Sequence, residues 1–75
     1  MHTAQVLRVL DRAMDAGEPV WLGYADNVGS TTHRVVDPLQ VEAGLLHGFD
    51  HSSNEVRTFR ITRITRVSPA RGEHT

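Results

Sequence analysis

Residues 56–67 read VRTFRITRITRV, and their spacing decides the fold class. Phe59 and Ile61 share one face of an extended chain, with Arg57 just before them on that face. Val56, Thr58 and Arg60 fall on the other. Arg63 and Arg66 follow at a stride of three, interleaved with Ile64 and Val67. The pattern predicts a strand over Val56–Ile61, a tight turn at Thr62-Arg63 and a short last strand over Ile64–Ser68. Taken alone, it establishes strands that carry an arginine cluster.

Working back from there, the same period-two pattern recurs. Val20, Leu22 and Tyr24 alternate with Trp21, Gly23 and Ala25, which predicts a strand over Pro19–Ala25. Asp26-Asn27-Val28-Gly29-Ser30 is a turn by composition. Thr31–Val36 is the return strand of a hairpin. Asp37-Pro38 ends or bends that ladder, because proline cannot donate to it, and Leu39–Glu42 continues extended. Ala43-Gly44 turns the chain, and Leu45–Phe49 forms another strand. Gly48 inside that strand signals a bulge or a close backbone approach. Residues 50–55, DHSSNE, read as a polar loop.

Only the N-terminal stretch has helical spacing. Val6, Leu7, Leu10, Ala13 and Met14 form one stripe over Thr3–Ala16. Thr3 is the expected N-cap, Gly17 the C-cap, and Pro19 blocks continuation. A helix of about four turns is not stable alone, so its stripe must pack on the strands. Residues 69–75 carry no apolar anchor and read as a tail.

The fold class is therefore mainly β: a small, partly open barrel of about five short strands, with the helix capping one opening. A 75-residue chain forms a single domain, spanning residues 1–75. It has no cysteine, so it has no disulfide or thiolate metal site. That is compatible with a cytoplasmic location. No run of residues is long and apolar enough to span a membrane, and residues 1–20 lack the signal-peptide pattern.

The net charge of −1 conceals an uneven distribution. All eight basic residues are arginine, and five of them lie at or after position 57. Arginine without lysine fits either a GC-rich genome or contact with phosphate, which a planar guanidinium grips in two places. Arg60 and Arg66 face away from the apolar residues and read as ordinary surface charges, paired with carboxylates such as Asp37 or Glu55. Arg57 shares the apolar face, where mere solvation would waste it. With Arg34 and Arg63 it could converge near Tyr24 and Phe59, the usual ingredients of a site for phosphate and a stacked base.

Other chemistry finds little support. His47 and His51 are four apart, but on strand and loop rather than on a helix, and no cysteine pair or acidic triad joins them. No serine sits in a nucleophile elbow, and no glycine-rich phosphate loop is present. The expectation is a non-enzymatic protein with no metal and no cofactor.

In order and spacing, the motifs from Val20 to Val67 resemble the WYL domain, a bacterial module with an Sm-like, SH3-type barrel. They comprise Tyr24, Gly29, Arg34-Val35-Val36-Asp37-Pro38-Leu39, Leu45-Leu46-His47-Gly48-Phe49-Asp50, Arg57-Thr58-Phe59-Arg60-Ile61 and Arg63-Ile64. The tripeptide that names the family falls on Gly44-Leu45-Leu46, which keeps its leucine and lacks the aromatic pair. The sequence is most similar to a divergent actinobacterial branch in which such a domain ends a larger helicase-associated protein.

The resemblance implies a regulatory, ligand-sensing module linked to transcription regulation or DNA repair. Its ligand would be a nucleotide or short single-stranded nucleic acid, bound by Tyr24, Arg34, Arg57, Phe59 and Arg63. Its partner would be a DNA-binding or helicase domain in the same or another chain, since residues 1–19 are too short for one. The alternative is an interaction module, a homodimer for instance, that uses edge strands and an apolar patch of Trp21 with Leu45 or Leu46.

Overall fold

The computed structural model of the chain describes residues 2–70, so residues 71–75 of the expected tail lie outside the described residues, while Pro69 closes the last strand. Helix α1 spans Thr3–Ala16 and is followed by five strands: β1 Val20–Ala25, β2 Thr31–Glu42, β3 Leu45–Asp50, β4 Glu55–Arg60 and β5 Ile64–Pro69. A 3-10 turn, Ile61–Arg63, joins the last two. The N-cap of α1 is His2 rather than Thr3. The Gln5 side chain reaches back to accept the His2 N–H at 3.4 Å, and Thr3 becomes the first helical residue. Gly17 ends the helix as expected, at φ 64°, where glycine alone carries no Cβ penalty.

All five strands pair antiparallel in the order β4-β3-β2-β1-β5. In a flat sheet the outer strands would lie about 19 Å apart, at about 4.8 Å per step. Here the two edges are consecutive in sequence and joined by the three residues of the Ile61–Arg63 turn, a reach of about 10 Å. The sheet must therefore curl until its edges approach, although β4 and β5 are not hydrogen-bonded neighbours. The result is the open barrel anticipated from the strand pattern. Helix α1 packs on β5, β2 and the 3-10 turn. There Val6, Leu10 and Ala13 join Val20, Leu22, Val36, Leu46, Phe59, Ile61, Ile64 and Val67 in one core.

One expectation needs correction at β2, which is a single strand of 12 residues rather than two short pieces. Pro38 does not break it. The β1 ladder stops at the Val20–Val36 pair, so Pro38 has a neighbour on β3 only, and its missing N–H costs no hydrogen bond on the open side. The register shifts between Pro38 and Gln40, leaving Leu39 as the extra residue of a bulge.

Gly48 lies opposite Pro38, and the close approach is real. A Cβ there would sit 2.5 Å from Val36 Cγ1 and 3.0 Å from the Asp37 carbonyl oxygen. A side chain can shift but the backbone oxygen is held by the sheet, so overpacking is unavoidable. Gly48→Ala is expected to lower stability by about 1–3 kcal/mol, read as a lower urea midpoint with an unchanged slope.

The apolar patch of the interaction reading does not form. Leu46 is fully buried. Trp21 pairs with Val35 and Leu45 with Glu42, so they lie seven residues apart along β2, or roughly 20 Å.

Candidate functional site

Cross-strand partners lie on the same face of a sheet, so the pairing register places the candidate residues. On the inner face, Tyr24 is opposite Thr32, Leu22 opposite Arg34, and Val36 opposite Asp50. One strand further, Leu46 is opposite Phe59, Gly48 opposite Arg57, and Asp50 opposite Glu55. Polar groups thus replace apolar ones toward one end of the curled sheet, while α1 packs against β5, β2 and the 3-10 turn.

The centre of this polar mouth is a pair that the sequence reading missed. Arg34 Nη1 donates to Asp50 Oδ2 at 2.5 Å, and Arg34 Nη2 donates to Thr32 Oγ1 at 3.1 Å. Asp50 is wholly buried, whereas the Arg34 side chain keeps 18% of its surface. The Ser52 N–H donates to Asp50 Oδ1 at 2.8 Å. Burial alone would raise the Asp50 pKa, but the Ser52 N–H and Arg34, helped by the charge of Arg57, outweigh it and hold the carboxyl below its ordinary value. Asp50 is the last residue of β3 rather than the first of the polar loop expected over residues 50–55. Its signal was the alternation Leu46, Gly48, Asp50, which carries the inward face of β3 one residue further.

Phe59 lies beneath this pair. It is 2% exposed, with the Arg34 guanidinium 5.9 Å from its ring centre. Tyr24 meets it edge-on, with centroids 5.2 Å apart and planes at 79°, a preferred aromatic geometry. The Tyr24 hydroxyl accepts the Arg60 N–H at 2.9 Å, tying the outer edge of β4 to β1. Tyr24, Arg34 and Phe59 therefore form one contiguous group. Phe59 belongs to the core and supports the other two, so the accessible aromatic of the group is the half-buried Tyr24.

Arg57 is exposed beside this group and acts on Asp50 through its charge. Arg63 lies in the 3-10 turn, next to the Ile64 that pairs with Tyr24. Neither side chain makes a hydrogen bond or ion pair among the described residues. Arg34 Nε is buried without a hydrogen-bond partner among them. Among the described residues no arginine pairs with Asp37, whose Oδ2 instead meets His51 Nε2 at 2.9 Å.

His47 Nδ1 lies 3.3 Å from Thr58 Oγ1, so the two histidines go separate ways. No group of three or more His, Cys, Asp or Glu side chains among the described residues could hold a metal ion. No helix among the described residues is long and apolar enough to cross a membrane.

With the barrel and its polar mouth in view, comparison with known proteins is decisive. The sequence profile of the WYL domain matches residues 5–69. The chain belongs to the WYL domain family. No curated protein matches the sequence significantly. Twelve chains of solved structures do match. One is proteasome accessory factor B/C (PafBC) of Arthrobacter aurescens, with a TM-score of 0.83 and 27% identity over 91% of this chain. The present chain spans 11% of the length of that one.

The structure also explains how this WYL domain departs from the pattern that names it. Gly44 stands where the first aromatic would be and adopts φ 76°, with Ala43 before it at φ 52°. Two residues of positive φ make the tight hairpin that joins β2 to β3, and a bulky side chain is disfavoured there. Leu45 lies on the outer face opposite Glu42, and Leu46 in the core.

Proposed function

We propose that this WYL domain is a non-catalytic, regulatory ligand-sensing module whose polar mouth binds a nucleotide or a short single-stranded nucleic acid. It would serve transcription regulation or DNA repair, alongside a DNA-binding or helicase domain in the same or a partner chain. The observation that carries the reading is the buried Arg34–Asp50 pair, set between Tyr24 and the unpaired Arg57. A buried ion pair is a poor route to stability. Here it fixes a guanidinium beside the half-buried Tyr24, with the exposed Arg57 adding its charge to the same group.

In this reading the arginines divide the labour. Both Arg34 terminal nitrogens are engaged, and its charge is cancelled by Asp50. The phosphates therefore fall to Arg57 and Arg63, and a base stacks on Tyr24.

The test is an NMR titration of the labelled protein with a short mixed-sequence single-stranded DNA at two salt concentrations. Each neutralised phosphate contributes about 0.7 to the log–log salt slope for single strands. Two contacts give about 1.4, so a fourfold rise in salt should weaken binding about sevenfold. Shifts should cluster at Tyr24, Arg57 and Arg63, and Arg57→Ala should roughly halve the slope. Affinity that ignores salt, or shifts that avoid these residues, would refute the assignment.

A further inference from the structure

The outer face of β1 carries the only tryptophan of the chain. Trp21 is 42% exposed, although tryptophan is highly buried on average. It sits between Val35 of β2 and Ser68 of β5. Two residues along, Gly23 sits between His33 and Arg66. Trp21, His33, Arg66 and Ser68 line a depression of about 560 Å³, within the range of small-molecule sites.

Two local features shape this depression. The register shift opposite Gly23 and Tyr24 leaves Thr65 as the extra residue of a bulge in β5, the kind of feature that re-aims neighbouring side chains. Gly23 leaves room for it, since a Cβ there would lie 2.8 Å from Thr65 Oγ1 and 3.5 Å from His33 Cδ2. The lining contains no carboxylate, and the Arg66 side chain makes no hydrogen bond or ion pair among the described residues. The surface charge expected to be satisfied by an acidic neighbour is therefore uncompensated beside an exposed indole.

We propose that this depression is a second binding site, on the face opposite the polar mouth, for a mononucleotide-sized ligand. A planar base stacks on Trp21, which rewards any base because each has a π-face. Arg66 holds the phosphate through charge-assisted hydrogen bonds, and His33 and Ser68 supply further polar contacts. The combination selects for ring and anion together. A purely apolar partner would leave Arg66 desolvated and unpaired, and an acidic partner without a ring would leave Trp21 uncovered. The site stands apart from the reading of the polar mouth, because its residues belong to the other face of the same strands.

Trp21 is its own reporter, giving one indole N–H signal and all of the tryptophan emission. The full chain is titrated with AMP, with ribose 5-phosphate and with adenosine. AMP should move the indole signal saturably, and each half-ligand should bind about tenfold more weakly. Arg66→Gln should weaken AMP binding about tenfold, whereas Arg8→Gln, which removes a charge from the exposed helix surface, should change nothing. A short oligo-dA run in parallel distinguishes a free nucleotide from one within a strand. An indole signal unmoved by about 10 mM AMP, far above ordinary ligand concentrations, would overturn the proposal. So would a response that Arg66→Gln leaves intact, or one that ribose 5-phosphate reproduces in full.

Discussion

Arg34→Leu should cost about 3–5 kcal/mol, because it strands a buried carboxylate rather than because it deletes a favourable bond. Asp50 is fully enclosed and would keep only the Ser52 N–H and the more distant charge of Arg57. Domains of this size are stable by about 5 kcal/mol or a little more, so the variant should sit near its unfolding midpoint at neutral pH. Replacing both partners, as in Arg34→Leu with Asp50→Leu, should recover about 2 kcal/mol or more of the loss, since no charge is then buried. Urea denaturation of the two single variants and the double variant measures this directly.

The pH dependence identifies the cause. In the wild type the folded Asp50 pKa lies below its unfolded value of about 3.9. The stabilisation it gives is therefore fully present above about pH 4, and is lost as pH falls through the unfolded and then the folded pKa. In Arg34→Leu, burial is opposed by fewer groups, so the folded pKa moves up and this acid loss shrinks. The gap in stability between wild type and variant should narrow on acidification. A gap that stays constant from about pH 7 to pH 3 would show that Asp50 is not what Arg34 supports.

Much of this architecture was legible because it rests on local periodicity. The stripe from Val6 to Met14, the alternation around Tyr24 and the arrangement of Phe59 with Arg57 each follow from a period of 3.6 or 2 acting over a few residues. Gly48 was legible for a similar reason, because a strand interior tolerates glycine only where something lies close. What stayed hidden depended on partners remote in sequence. Pro38 looks like a break until β1 is seen to stop at Val20, and Asp50 looks like a loop residue until Arg34, sixteen positions away, is seen to reach it. Arg66 reads from the sequence as an ordinary surface charge. Nothing in its own segment tells that Trp21 lies on the neighbouring strand, or that its side chain pairs with no carboxylate among the described residues. The family resemblance ordered the motifs but left open which aromatic a ligand could touch, and burial alone separates Tyr24 from Phe59.

That separation has a large energetic consequence. Phe59→Ala should lower stability by about 3–5 kcal/mol, the usual cost of removing a buried aromatic. Phe59 is 2% exposed, touches the Tyr24 edge and lies under the Arg34 guanidinium. Its loss removes core volume and also the platform of both neighbours. A stability loss of that size would hide any effect on binding, so the informative partner is Phe59→Leu. Leucine restores much of the volume, and the change should cost about 1.5 kcal/mol or less, leaving a folded protein to titrate. If Phe59 is support, the affinity of Phe59→Leu for a short single-stranded DNA should stay within about twofold of wild type. Tyr24→Leu, which removes the accessible ring, should lose about tenfold. The reverse ranking would mean that the barrel opens on binding and offers Phe59 to the base. Arg34 and Tyr24 would then have to leave their present contacts, and the edge-on ring pair would be a closed gate rather than a fixed wall.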